Sequence, residues 1–559
     1  MTVLLAILGI VFYPVLKKPL NWLSLSLDRI VIDLDSYIKK NGQVITILGV
    51  IALAAYGFEL FNLNLTIDEE LYAFFSGSSI LWIGEGRWGM YLLNKFLLPY
   101  PVIPAIPLFL ALVFHILAVL IILNCWEINS KLEQVVAGAM MFTFPTLAYI
   151  YMFSTLSYGI GIGFFCVALS LFLYVKNQRY WRWLMVVPIS FSIAIYQAFA
   201  LVLAGVFIVY LIIEIRKGNQ IWRSVLNMAL MFMGAFLIYY LIQRLWMWRL
   251  LSLLGEAEKS AFLDRILYTQ RYFDFASLQD HAYRVFSRTW SNLVDYYSGV
   301  HLDYAIEIRV LGFVMIASIV GLIINLMNYK SSIVNKALVL LLSIALLGLP
   351  FLGVVFSNGR VLTRTLLALP VSIAGIVILG LLERPRILRI SILTIALFCI
   401  FQFSVSTNRL FGASHLALQA DRLVAVRLME KIDEAKAETG IQNPTYLEIV
   451  GKLVRDETLA IPWRTTIGLS FFELPTIGQP RIASFLEISG YQTLRSLPSS
   501  RLAEFVEIAN AMPAWPAEGS VQIVGDTVLI KFGDYPVAYK REICDASSRD
   551  ITLPQDFCP

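Results

Sequence analysis

Residues 43–70 read QVITILGVIALAAYGFELFNLNLTIDEE. The first part, to about residue 63, is a nearly unbroken apolar run, long enough to cross a bilayer as a helix. Three consecutive carboxylates follow within a few positions: Asp68, Glu69 and Glu70. Acids so close to a span are costly to desolvate, and they mark ion movement, substrate binding or acid–base chemistry. The apolar half of the stretch sets the fold. The side of the membrane that receives the acidic half, and what else faces that side, sets the function.

The same apolar pattern recurs along the chain. Further apolar segments run over 2–16, 101–124, 133–152, 157–175, 183–197, 198–214, 224–243, 308–327, 335–356, 366–382 and 387–405. The stretch 183–214 is too long for one span, and Tyr196-Gln197 in its middle predicts two short helices joined by a tight turn. Segment 2–16 is short for a span. It has the length of a signal-peptide core but neither a basic start nor a small-residue cleavage site. Of 559 residues, 58% are hydrophobic and only 15% charged, against roughly a quarter charged in soluble proteins. The chain therefore reads as a polytopic helical membrane protein with about 11–12 spans. The net charge of +5 is spread among loops and forms no stripe, so a nucleic-acid partner is not indicated.

Loop cations give the orientation. Lys17, Lys18, Arg29, Lys39 and Lys40 precede the segment at 43. Lys176, Arg179 and Arg182, then Arg216, Lys217 and Arg223, then Lys330 and Lys336, then Arg384, Arg386 and Arg389 fall on that same side if each segment spans once. That side is predicted to be the cytoplasm. The other side receives Asp68–Glu70, Ser154–Ser157, Tyr196-Gln197, the long segment 243–307, the turn 357–364 and everything after about 407. On this basis the chain divides into an N-terminal segment (1–42), a transmembrane domain (43–405) and a tail (406–559).

On the outer side, 68–101 shows helix-like spacing of Leu71, Tyr72, Phe74, Phe75, Trp82, Trp88 and Tyr91, read as interfacial amphipathic helices. Segment 243–307 interleaves aromatics with Arg249, Arg265, Arg271, Arg284 and Arg288, which suits a surface at lipid headgroups. The tail is predicted to be a small α/β domain. It has a helix over 416–436, a strand over 446–450, and a hairpin of 521–524 and 527–531 about Gly525-Asp526. Cys544 and Cys558 could pair if the tail is exported to an oxidising compartment. Cys125, Cys166 and Cys399 read as small core residues.

Several constellations carry chemistry, each with a plainer reading beside it. One carboxylate of Asp68–Glu70 can act as a general base; acids at a helix start can also simply cap it, with Thr66 or Asp68 as N-cap. Arg87, in Gly84-Glu85-Gly86-Arg87-Trp88-Gly89, suits a phosphate contact, or snorkels at the interface. Arg360 and Arg364, four apart, share a helical face and can grip one phosphate, or anchor helix ends. Tyr196-Gln197 can bind a sugar hydroxyl or cap a turn. Trp88, Glu70, His281 and Arg284 are further candidates for sugar or acceptor contact. No HExxH, Cys-x-x-Cys pair or His cluster is present, so a divalent cation has no motif behind it, and no Walker A or GxGxxG supports a nucleotide.

The sequence resembles the glucosyltransferase II (Gtr) family of polytopic enzymes associated with O-antigen serotype conversion. The resemblance rests on Thr-Ile-Asp68-Glu69-Glu70 after an early span, Gly86-Arg87-Trp88 before the next, and Ala194-Ile195-Tyr196-Gln197-Ala198. It covers roughly 43–405, is thin over the tail, and leaves 1–42 unassigned. More broadly the chain looks like a GT-C membrane glycosyltransferase. That resemblance implies a polyprenyl-phosphate sugar donor, a lipopolysaccharide or lipid-linked glycan acceptor, and an active site and tail in the periplasm at the bacterial inner membrane. It also implies a flippase and a donor-lipid synthase as functional partners. It puts the base on Asp68 with Glu69 as competitor, and leaves Glu70 as extra. Competing expectations are an O-antigen polymerase or ligase, and a flippase or transporter. A transporter would favour inverted halves and mid-bilayer polar sites.

Overall fold

The computed structural model describes residues 39–62, 64–72, 80–99, 101, 105–175, 181–252, 282–329, 331–356, 362–382, 386–453, 467–473, 479–537, 540 and 544. The apolar segment 2–16, Arg360, His281 and Cys558 lie outside them.

Among the described residues, nine helices are long and apolar enough to cross a membrane, from Gly42–Phe61 to Arg386–Thr439. Two shorter apolar helices, Val186–Ile195 and Leu369–Leu381, join them. The chain is thus a helical membrane protein, with each of these apolar helices lying on an apolar run read from the sequence. The long run at 183–214 does divide: Tyr196 turns extended, with φ −158° and ψ 122°, between Val186–Ile195 and Phe199–Arg216. Two spans are jointed where proline removes a backbone donor. Lys131–Thr143 passes through a 3₁₀ turn at Pro145–Leu147 into Ala148–Tyr151. Ile333–Gly348 passes through Leu349–Phe351 into Leu352–Phe356.

Contacts at the helix ends sort into two faces. On one, Lys131 Nζ donates to Gln43 (2.7 Å), Lys217 pairs with Glu127 (2.7 Å), Arg216 with Asn325 (3.2 Å) and Arg389 with Glu133 (2.8 Å). On the other, Thr155 meets Glu69, Gln197 meets Glu85, and Arg364 meets Asp68. Basic loops and the acid turn therefore sit on opposite faces.

The last span does not end at the membrane. The helices expected at 387–405 and 416–436 are one helix of 54 residues, Arg386–Thr439. At about 1.5 Å per residue it reaches about 80 Å. Residues 406–415 contain no proline. They stay helical by packing: Phe411 lies 6.0 Å from the Tyr56 ring, and Asn408 Nδ2 donates to Ala54 O at 2.7 Å.

The tail builds a second core around a four-stranded sheet. The small hairpin β1 (Val300–His301) and β2 (Ile306–Glu307) precedes it in the chain. The sheet holds β3 (Tyr446–Val450), β4 (Arg495–Ser496), β5 (Val521–Val524) and β6 (Thr527–Lys531), in the order β4-β3-β6-β5. Strand β3 runs parallel to β4 and β6, and β5 closes an antiparallel hairpin on β6. Alternation along the strands serves two cores. Leu447, Ile449, Val528 and Ile530 face Leu418, Ala425, Leu428 and Ile432 of the long helix and Phe485 of helix Gln479–Ile488. Val450 and Leu529 face Phe505, Val506 and Ala509. Leu65 and Ile67 also belong to the first of these cores, although they directly precede the acid turn. Cys544 is disulfide-bonded, while Cys125, Cys166 and Cys399 are buried and form no disulfide.

Candidate active site

The turn that carries the acids is pinned from behind. Glu69 N donates to Thr66 O at 3.0 Å, and the Glu69 carboxylate accepts from Thr66 N (3.4 Å) and Thr66 Oγ1 (3.1 Å). The carboxylate thus makes one half of a capping box, reaching back to cap the Thr66 N–H, and the Thr66 hydroxyl donates to it as well. The second Glu69 oxygen accepts from Thr155 N at 3.2 Å, tying the acid turn to the turn between two spans. Glu69 is buried, and burial pushes its carboxyl up to about 7 against these hydrogen bonds. Its buried carboxylate braces the turn.

Asp68 sits differently. Its φ is +88°, in the left-handed region that only Asn, Asp and Gly enter readily. Its side chain is 36% exposed. Arg481 Nη2 donates to Oδ1, and Arg364 Nη1 lies 3.9 Å from Oδ2. A left-handed turn displaying an accessible carboxylate between two guanidiniums fits the pattern of a working site. Glu70 lies beneath. It is fully buried, Oε1 takes Arg481 Nη1 at 3.3 Å, and Oε2 has no hydrogen-bond partner among the described residues. Burial, opposed by Arg481 and reinforced by Asp68, pushes its carboxyl up to about 8.

A second cluster forms around Arg87. Its guanidinium pairs with Glu85 at 2.9 Å and lies 4.7 Å from the Tyr196 ring centroid and 5.5 Å from that of Trp82. Its Nε is buried without a hydrogen-bond partner among the described residues. The loop is strapped in place: Gln197 Nε2 donates to Glu85 O (2.8 Å), Tyr239 Oη to Gly86 O (2.9 Å) and Gln243 Nε2 to Ile83 O (2.7 Å). Gly86, at φ +78°, has no room for a side chain; a Cβ there would lie 2.7 Å from Tyr239 Oη and 2.9 Å from Gln197 Nε2.

The sequence-selected residues thus separate into groups. Asp68, Glu70 and Arg364 meet, with Glu69 behind them. Arg87, Tyr196 and Gln197, chosen from two distant motifs, meet in one aromatic cradle. Trp88 is buried with its ring 6.0 Å from Phe191. Arg284 is exposed on helix Ala282–Ser298. Sequence reasoning missed Arg481, 411 positions from Glu70 and carrying no local motif. It also passed over Glu59, which accepts from Asn64 Nδ2, and His415, whose Nδ1 lies 3.1 Å from Asn64 Oδ1. Glu59, Asn62, Asn64, Ala105, Leu108, Tyr151 and Ser154 line a cleft with room for about one water. Among the described residues, no group of three or more His, Cys, Asp or Glu is placed to hold a metal ion.

A multi-span helical bundle with a carboxylate and paired arginines at one face has the makings of a membrane group-transfer enzyme. The family model for glucosyl transferase GtrII matches residues 57–381, more than half of the chain, and the chain belongs to that family. Neither a curated protein nor a solved structure matches it. The family makes the chain a membrane glucosyltransferase. The match contains Asp68, Glu69, Glu70, Arg87, Tyr196, Gln197 and Arg364, and ends before Arg481.

Proposed function

We propose that this protein transfers a glucosyl group from a polyprenyl-phosphate donor to a hydroxyl of a cell-surface glycan such as lipopolysaccharide O-antigen, as a GT-C-type enzyme. The reaction takes place on the face that holds the acid turn, which is the periplasmic face of the bacterial inner membrane. The observation that carries this reading is the exposed Asp68 carboxylate beside Arg364 on the face opposite the basic loops. Asp68 removes the proton from the acceptor hydroxyl. The acceptor oxygen attacks the anomeric carbon from the side away from the phosphate, and the carbon–oxygen bond to phosphate breaks with its electron pair. The configuration at the anomeric carbon inverts. Arg364, with Arg360, neutralises the departing phosphate.

The Arg87 cradle supplies a second cation, flanked by the Tyr196 and Trp82 faces, and an aromatic wall with amide groups suits a sugar ring. Gln197 and Arg87 hold sugar or phosphate oxygens there. No metal motif calls for a divalent cation. A flippase and a donor-lipid synthase supply the donor.

Asp68→Asn keeps shape and removes the base. Transfer from radiolabelled polyprenyl-phosphate glucose to lipopolysaccharide is expected to fall about 10²–10⁴-fold, with donor retention on the protein preserved. Near-normal turnover in that variant sinks the assignment.

A further inference from the structure

Arg481 stands on helix Gln479–Ile488, in the tail, outside the matched family region. Its guanidinium reaches back across the molecule and spans two acids at once, Asp68 Oδ1 through Nη2 and Glu70 Oε1 through Nη1. We propose that Arg481 is a positioning residue for the transfer reaction: the C-terminal domain aims the Asp68 carboxylate. The inference rests on the reading of Asp68 as the base.

Docking alone does not need this arginine. Leu65 and Ile67 already lie in the tail's core with Leu418, Phe471 and Phe485, and that apolar contact joins the acid turn to the tail. What the apolar contact leaves unset is the direction of Asp68. Of the three acids Asp68 is the exposed one, and packing does not fix an exposed carboxylate. Glu69 is held by its cap, and Glu70 by burial.

Arg481 supplies the missing constraint. Its own side chain is only 18% exposed. Its neighbours Ile482, Phe485 and Leu486 are buried, so its stem is anchored. A planar guanidinium holds two carboxylates at a fixed separation, which a lysine ammonium does not reproduce. Buried Glu70 serves as the fixed post of this arrangement and Asp68 as the arm that is aimed. Positioning matters because misplacement of a reacting group by about 1 Å costs about 10²-fold in rate.

The test uses the full-length protein in lipid nanodiscs, with radiolabelled polyprenyl-phosphate glucose as donor and lipopolysaccharide as acceptor. Arg481→Ala is expected to lower kcat on the order of 10²-fold while donor KM stays within about threefold. Added guanidinium ion at millimolar concentration is expected to restore part of the lost kcat, which a purely structural arginine would not allow. Arg481→Lys, which keeps the charge, is expected to recover only a minor share. Thermal melting of each variant corrects for folded fraction.

An unchanged kcat overturns the inference. So does a loss that appears only in KM, a loss accounted for by the folded fraction, or a loss that guanidinium leaves untouched. Asp68→Asn run alongside separates the two readings. If it is inactive while Arg481→Ala is active, the base stands and the aiming role falls. If Asp68→Asn is active, the base reading itself falls.

Discussion

At the scale of single residues, the acid turn gives one short stretch three electrostatic fates. Burial holds Glu69 near 7 and Glu70 near 8, above the ordinary 4.5. Between that ordinary value and the raised ones, the folded protein binds more protons than the unfolded chain. Stability therefore falls as pH rises through about 7 and 8, and the protons' contribution is fully present only below about 4.5. Glu70→Gln removes one of these penalties, so its melting temperature is expected to gain on the parent's as pH climbs from about 5 to about 9. The free-energy gain is on the order of a few kcal/mol at the alkaline end. Melting curves in detergent across that range check it, and a parent–variant difference that stays flat with pH would contradict the burial argument. The sequence made the three acids legible because charge next to an apolar run is locally visible. It could not rank them, because the partners that tell them apart, Thr155 for Glu69, Arg364 for Asp68 and Arg481 for Glu70, lie far away in the chain.

At the scale of elements, the loop Gly84–Gly89 joins two motifs that lie about a hundred residues apart. Its conformation depends on Gly86, whose φ of +78° costs a side-chain-bearing residue about 1–2 kcal/mol. Gly86→Ala adds a methyl within 3 Å of both Tyr239 Oη and Gln197 Nε2, the donors that strap the loop. Transfer is expected to fall at least about tenfold as Arg87 moves off Tyr196, with a stability loss of only about 1–2 kcal/mol. Kinetics beside thermal melts decide it; full activity in a protein of normal stability would show that the strap does not set the cradle. Gly89 closes the same element from below, since a Cβ there would lie 2.9 Å from the backbone carbon of Ala194. Spans were legible because apolar runs and the Tyr196-Gln197 break are local signals. The 54-residue helix was not. Its middle, around Asn408 and Phe411, is held by contacts with the first described span, and periodicity alone does not report those.

At the scale of the whole molecule, sidedness links the fold to the reaction. The basic ends gather on one face through Lys217–Glu127, Arg216–Asn325 and Arg389–Glu133, while the acid turn, the Arg87 loop and the tail gather on the other. Loop cations alone had given this arrangement, because the positive-inside bias is additive over many loops. A lipid-linked donor carried in the outer leaflet can reach only the periplasmic face. If that face is periplasmic, Thr493→Cys, exposed on the tail, is labelled by a membrane-impermeant maleimide in whole cells with a permeabilised outer membrane. Asn219→Cys, exposed beside Lys217, is labelled only in inverted vesicles. Background from the described cysteines is low, because Cys125, Cys166 and Cys399 are buried and Cys544 is disulfide-bonded. The reverse pattern would place the acids in the cytoplasm, where nucleotide-linked sugars are the available donors, and would remove the case for a lipid-linked one. The same comparison tests the disulfide. With the tail outside, Cys544 stays unlabelled until a reductant is added, since a bridge in that position persists only in an oxidising compartment.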